Sequence, residues 1–322
     1  MVKDVSPRPT VDRPHQPNSA TESATWTTRR LIAWMTSAFA QSGLDSPRLI
    51  ADMLMAHVLG CDRLKLVMDA DRPASPLERQ TLRDLVGRAL NHEPVQYLVG
   101  QAWFYGLPMK VDGRVLIPRP ATETIVDGVL RHVRARPGFG GPKGEGVLIA
   151  DVCTGSGCIA AAVLKYLTGA RVVASDVSAE ALEVAALNAR THGVSDRLDL
   201  LCGNLLEPIL DYPPTRQAGG LHCLVSNPPY IPDHEWGGVP PNVKNHEPHV
   251  ALRGGADGME FVRTVVRDGV PLLRSGGLMM VEVAASCAPA ALALAGSTPG
   301  LVDAEIVRDF EGHPRVLAAR KG

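Results

Sequence analysis

The sequence predicts an α/β protein in which a predominantly parallel sheet is covered by helices, extended by a C-terminal antiparallel strand pair and preceded by a small helical domain. Three observations carry this expectation. Short apolar runs such as Val147-Leu148-Ile149-Ala150 and Val172-Val173-Ala174 lack polar alternation, the mark of strands buried on both faces. From residue 147 onward such runs alternate with helical patterns, as parallel strands joined by crossover helices require. Up to about residue 92, by contrast, apolar residues recur at helical spacing.

A chain of 322 residues with 45% hydrophobic residues can fill one large core and a smaller one without staples. The formal charge of -1 gives no general basis for nonspecific nucleic-acid binding, so a stable complex of that kind is not expected. Cysteines 61, 153, 158, 202, 223 and 287 form no C-x-x-C pair and no metal-ligand spacing, which reads as buried free thiols in a reducing compartment. Neither a signal-like segment nor an apolar run of membrane-spanning length is present, so a cytoplasmic protein is expected.

Residues 1–25 carry Pro7, Pro9, Pro14 and Pro17 among polar residues and read as a disordered leader. Residues 26–92 read as the helical domain. Its first helix carries Leu31, Ile32, Trp34, Met35 and Phe39 and ends near Gly43; Ser46-Pro47 supplies a cap and first-turn proline for a second. Ser75-Pro76-Leu77-Glu78 has capping-box spacing before Leu82, Leu85, Val86 and Leu90. Residues 93–120 mix β-favouring residues with turns, including Trp103-Phe104-Tyr105-Gly106 and Val115-Leu116-Ile117-Pro118, and suggest a hairpin-like linker. Residues 121–322 form the large domain. A helix begins at Thr122-Glu123, and strands are expected at 147–152, 171–175, 197–202, 221–226 and 277–283, with a closing pair at 302–307 and 315–319.

The chemistry gathers at the ends of four of these strands. Cys153-Thr154-Gly155-Ser156-Gly157 follows the first, where glycines permit a sharp turn and close approach of a nucleoside or phosphate. Asp176 ends the second, placing a carboxylate where a ribose diol can donate to it. Asn204 and Leu205 follow the third, as an amide for adenine or for the loop itself, and an apolar contact. After the fourth strand, Asn227-Pro228-Pro229-Tyr230 cannot continue a ladder and makes a rigid support. There the Asn227 oxygen and the Pro228 carbonyl can accept the two hydrogens of a planar NH2 group, while Tyr230 offers it a face. That arrangement exposes a weak π lone pair, which suits methylation of an amide-type nitrogen without a strong base. Arg119 and Glu123 are candidate supporting residues. Asp233-His234-Glu235 and His246-Glu247 with His249 supply no complete zinc arrangement, so no metal is expected.

In their order along the chain, these segments closely resemble the HemK/PrmC family of protein-glutamine N5-methyltransferases. The resemblance rests on Pro94-Val95-Gln96-Tyr97-Leu98-Val99-Gly100, Leu116-Ile117-Pro118-Arg119-Pro120-Ala121-Thr122-Glu123, Asp151 through Gly157, Asn227 through Ile231, Glu247-Pro248 and Ala251 through Gly255. It implies a class I S-adenosylmethionine-dependent methyltransferase fold with a seven-stranded sheet, and N-terminal helices that recognise a protein substrate. It also implies that Cys153, Thr154, Gly155, Ser156, Gly157, Asp176, Asn204, Leu205 and Asn227 hold the cofactor S-adenosyl-L-methionine. Asn227, Pro228, Pro229 and Tyr230 would receive the substrate, with Asn227, Pro228 and Tyr230 as the catalytic set. The implied target is the glutamine of the Gly-Gly-Gln motif in class I peptide chain release factors, and a monomer is expected. Ala121, Asn204 and Cys287 depart from residues frequent in the family. Alternative targets are a glutamine of ribosomal protein uL3 and, with the same in-plane hydrogens, the N6 of adenine in DNA or RNA. A separate target-recognition domain or strong basic tract for nucleic acid is not evident.

Overall fold

A computed structural model describes residues 25–136 and 138–322; apart from Thr25, the leader expected over 1–25 lies outside them. The chain forms two compact units, one ending at Asp84 and the other running from Leu85 to Gly322. The first contains α1 (Thr28–Gln41), α2 (Pro47–Leu59), α3 (Arg63–Met68) and the start of α4 (Pro76–Leu90). Leu31, Ile32, Met35 and Phe39 of α1 are buried, as are Ala51, Leu54 and Met55 of α2, against which it packs. The capping box forms: Ser75 N donates to Glu78 Oε2 at 2.8 Å and Glu78 N donates to Ser75 Oγ at 3.2 Å. Ser46 does not cap α2. It lies in the left-handed region with φ +52°, and its side chain makes no cap hydrogen bond, which leaves Pro47 as the start signal.

The larger unit takes in the rest of α4 and opens with α5 (Val95–Val99), β1 (Gln101–Phe104), β2 (Leu107–Lys110) and α6 (Glu123–Ala135). The sheet domain follows with β3 (Leu148–Val152), α7 (Cys158–Tyr166), β4 (Arg171–Asp176), α8 (Ala179–His192) and β5 (Leu198–Cys202). Short α9 (Glu207–Leu210) and α10 (Pro213–Gln217) lead to β6 (Leu221–Ser226), then α11 (Pro241–Lys244), α12 (Glu260–Gly269), β7 (Leu273–Glu282), α13 (Ala288–Ser297), β8 (Leu301–Arg308) and β9 (Pro314–Lys321). Seven strands align in the order β5-β4-β3-β6-β7-β9-β8, with β9 antiparallel to both neighbours and the other pairings parallel.

All of β3 is buried because helices cover both faces. Its alternating side chains feed two cores: Ile149 joins α6 and α7, while Leu148 and Ala150 join α12 and α13. From β3 the chain runs outward through β4 and β5, then returns to β6 on the other side. That reversal leaves a crevice beyond the carboxyl ends of β3 and β6, the usual position of a ligand in open α/β sheets.

Three expectations need correction. Val95–Val99 is a helical turn, entered through Pro94 and closed by Gly100 at φ +69°, so the hairpin is confined to β1 and β2. Val115-Leu116-Ile117 is not a strand, since the Ile117 amide donates to the Glu247 carboxylate and Pro118 has no amide to offer. β7 starts at Leu273, ahead of the expected 277, and its pairing with β6 shifts register between Leu221 and Cys223.

Candidate active site

A cleft open to solvent, with ≈ 940 Å³ of space between its walls and mouth, lies beyond β3, β4 and β6. Cys153, Thr154, Gly155 and Ser156 line it after β3, Asp176 at the end of β4, Asn204 and Leu205 after β5, and Asn227 and Pro229 after β6. Thr122, Val115 and Pro118 line it from the segment before α6, and Pro248, Val250 and Phe261 from the chain beyond β6. Gly157, Pro228, Tyr230, Arg119 and Glu123 are not among the lining residues.

The turn after β3 is built around two carboxylates. Asp151 is fully buried; its Oδ2 accepts from Thr154 Oγ1 at 2.7 Å and from Ala160 N at 3.2 Å, while its other oxygen has no partner. Burial pushes its carboxyl up to about 7. Asp176 accepts from Gly155 N at 2.8 Å on Oδ2 and from Ser178 N at 2.9 Å on Oδ1, and burial raises its pKa as well. The two glycines serve different ends. A Cβ on Gly155, at φ +53°, would meet nothing within 4 Å, so the cleft-side space there is open. A Cβ on Gly157, at φ +73°, would sit 3.0 Å from Ala185 Cβ, so this glycine lets α7 approach α8.

Asn204 is exposed and donates to Glu207 Oε1 at 3.2 Å, whereas Leu205 is buried at φ +48° and its carbonyl accepts from Ser175 Oγ at 2.7 Å. Glu123 does not reach the cleft wall; its Oε1 accepts from Tyr105 N at 2.7 Å and holds the β1–β2 turn. Arg119 donates to Glu247 Oε1 at 2.5 Å, and Glu247, itself buried, also accepts from Ile117 N at 3.1 Å. The loop beyond β6 is thereby tied to the segment before α6, and both segments contribute residues to the cleft lining.

At the Asn-Pro-Pro-Tyr segment, Ser226 Oγ donates to the Val152 carbonyl at 2.7 Å and locks the ends of β6 and β3 together. Asn227 Nδ2 donates to Thr122 Oγ1 at 3.2 Å, and its Oδ1 is buried without a partner. Tyr230 OH donates to Glu282 Oε1 at 2.9 Å, while Thr122 Oγ1 donates to Glu282 Oε2 at 2.6 Å. Burial raises the pKa of Glu282 and of the Tyr230 phenol. Among the described residues no group of His, Cys, Asp and Glu is placed to hold a metal ion.

Sequence reasoning passed over Thr122 except as a helix start, and over Glu282 and Asn188. Glu282 had a readable signal, a carboxylate ending an apolar strand just as Asp176 does. Asn188 is buried in α8; its amide bonds to the N–H and carbonyl of Lys110 and to the Ser156 carbonyl, joining the hairpin to the glycine turn. An asparagine inside a helix carries no such signal.

A seven-stranded sheet of this order, with a glycine turn after β3, defines a class I methyltransferase domain. A family model described as "Methyltransferase small domain" matches residues 142–237, and one described as "PrmC N-terminal domain" matches residues 30–100. The chain belongs to the release factor glutamine methyltransferase family. It is 37% identical over 302 residues to the release factor glutamine methyltransferase of Chlorobaculum tepidum, covering 92% of this chain and 98% of that one. The namesake from Geobacter sulfurreducens is 37% identical over 297 residues, with 92% and 98% covered. Among solved structures, a protein-(glutamine-N5) methyltransferase (release factor-specific) from Alicyclobacillus acidocaldarius aligns at 25% identity and a TM-score of 0.38, covering 66% of this chain and 100% of that one. No described helix is long and apolar enough to cross a membrane.

Proposed function

We propose that this chain methylates the side-chain nitrogen of the glutamine in the Gly-Gly-Gln motif of class I peptide chain release factors, with S-adenosyl-L-methionine as donor. The observation that carries the site reading is the Asn227 Oδ1, a buried acceptor without a partner on a residue that lines the cleft. A buried polar atom of this kind costs free energy in the empty protein, and a substrate N–H restores the missing bond. In this reading Asn227 Oδ1 and the Pro228 carbonyl accept the two amide hydrogens, and Pro229 and Tyr230 form the surface against which the amide rests. Holding both hydrogens in plane leaves the nitrogen's π lone pair free above it, and orientation rather than basicity then lowers the barrier.

The residues lining the cleft fit the donor. Each Asp176 oxygen accepts one backbone N–H and keeps capacity for a ribose hydroxyl. Cys153, Thr154, Gly155 and Ser156 would hold the methionine and ribose portions, with Gly157 setting the turn, and Asn204 and Leu205 would flank the adenine. When bound, S-adenosylmethionine supplies an electrophilic methyl group on a positively charged sulfur. The amide nitrogen sheds a proton as its new bond forms, and no side chain of this site is required as a strong base. We further propose that the helices of residues 26–92 recognise the protein substrate, that residues 93–120 act as the linker to a catalytic domain at 121–322, and that a cytoplasmic monomer does the work. The family model matching residues 30–100 is described as an N-terminal domain, in keeping with a module separate from the catalytic one.

The test is peptide mapping by mass spectrometry after incubation with an isotopically labelled methyl donor. A class I release factor, ribosomal protein uL3 and adenine-containing oligonucleotides serve as parallel substrates. One methyl group on the Gly-Gly-Gln glutamine is expected. Efficient labelling of uL3 or adenine with an unmodified release factor overturns the assignment.

A further inference from the structure

An asparagine side chain offers an oxygen at one end and an NH2 at the other, nearly equal in size. At Asn227 the choice follows from the protons its neighbours carry. Glu282 is 1% exposed and, as a carboxylate, only accepts hydrogen bonds. Its oxygens take the Thr122 hydroxyl at 2.6 Å and the Tyr230 hydroxyl at 2.9 Å. Thr122 has one hydroxyl proton and directs it to Glu282, so toward Asn227 it can only accept. Nδ2 therefore faces Thr122 at 3.2 Å, and Oδ1 is the end left without a partner.

We propose that Thr122 and Glu282 are positioning residues that fix the Asn227 amide with its oxygen toward the substrate, so that the pocket takes a side chain bearing N–H and rejects an isosteric carboxylate. This rests on the glutamine reading above. Were the amide free to turn over, its NH2 would meet the substrate's NH2 and welcome a glutamate instead. The selection acts through a chain of three groups, none of which needs to touch the reacting nitrogen except Asn227.

The test has two readouts on the full-length protein. In the absence of substrate and donor, nuclear Overhauser contacts are sought between the Asn227 side-chain NH2 and Thr122. Calorimetry then compares a peptide containing Gly-Gly-Gln with one containing Gly-Gly-Glu, in the presence of S-adenosylhomocysteine. Wild type and T122S are expected to show the contact and to prefer glutamine by at least about tenfold, the effect of facing two buried acceptors. T122V keeps the shape without the acceptor, and its preference should fall to within about threefold. Unfolding midpoints are recorded for each variant, and where T122V does not fold, T122A carries the same expectation. A wild-type preference retained by T122V or T122A overturns the proposal, as does absence of the contact in wild type. A wild type that shows the contact but binds neither peptide upholds the amide orientation and refutes the glutamine reading.

Discussion

Replacing Asn227 by alanine should separate stability from activity. In the folded protein its Nδ2 makes one long hydrogen bond, 3.2 Å to Thr122, worth about 0.5–1.5 kcal/mol. Its Oδ1 is buried without a partner, at a desolvation cost of about 1–3 kcal/mol. Because Asn227 lines an open cleft, truncation leaves no sealed cavity and the usual core penalty does not apply. The difference places N227A between about 0.5 kcal/mol less stable and about 2.5 kcal/mol more stable than wild type. Turnover moves the other way: losing one preorganised hydrogen-bonding group lowers kcat by about 10²–10³. Urea unfolding of the ligand-free proteins, with the m-value checked for constancy, reads the first quantity, and initial rates of methyl transfer to release factor read the second. Cofactor affinity should stay within about threefold, since the loss is specific to the substrate amide. A destabilisation above about 2 kcal/mol would make Asn227 a structural residue, and rates within about threefold of wild type would remove it from the site.

Other substitutions test the frame around it. G155A and G157A both place a Cβ at positive φ, costing about 1–2 kcal/mol; G157A alone also drives it against Ala185, so its urea midpoint should fall further, by about 1–3 kcal/mol of overpacking. Equal losses would refute the assignment of Gly157 to helix packing. D176A removes the acceptor for Gly155 N and Ser178 N and should weaken S-adenosylmethionine binding at least about tenfold by calorimetry; unchanged affinity excludes it from the ribose site. Burial, then the Arg274 charge, holds the His222 imidazole down at about 4 against an ordinary 6.5. The unfolded chain therefore binds the extra proton between those values, so this contribution to stability is intact above pH 6.5 and lost as pH falls toward 4. H222Q, which keeps an acceptor for Leu148 N, should flatten that slope in urea midpoints taken across the window, and an unaltered slope would count against the buried neutral imidazole.

The parts of the fold that were most legible are those where burial is deepest. β3, β4 and β6 announce themselves by apolar stretches buried between helices, whereas β5, at the sheet edge, holds Asp199 and buries only Leu198; the ends of all four were readable within a residue or two. Residues 93–120 misled because their β-favouring side chains are held by tertiary bonds. Ile117 gives its amide to Glu247, which lies far along the chain, and local propensity has no access to that partner. The cleft-lining residues Asp176, Leu205 and Asn227 were legible because each stands at or just beyond a strand end; Tyr230 was read as a face for the substrate, and the bond of its hydroxyl to Glu282 was not legible. Glu123, read as a helix start and a supporting residue, does begin α6, and what it supports is the β1–β2 turn. Its role depends on a hairpin amide that no spacing rule connects to it.

One regularity links these observations. Acidic residues stand at or next to the carboxyl ends of β3, β4 and β7, namely Asp151, Asp176 and Glu282, and burial raises the pKa of each. Raised carboxyl pKa values in a cleft invite assignment as general bases. The bonding argues otherwise. Asp151 is fully buried beneath the glycine turn and holds Thr154 and the Ala160 amide, and Glu282 has both oxygens occupied by hydroxyls. Asp176 alone of the three lines the cleft, and it holds the amides of Gly155 and Ser178 beside the proposed ribose position. Each carboxylate therefore organises donors that shape the site, and neither Asp151 nor Glu282 lines the cleft in which a substrate nitrogen would stand. A transfer to an amide needs such an arrangement: the N–H is too weak an acid for its proton to leave first, so the protein's work lies in holding the amide plane still, and the polar groups are committed to that.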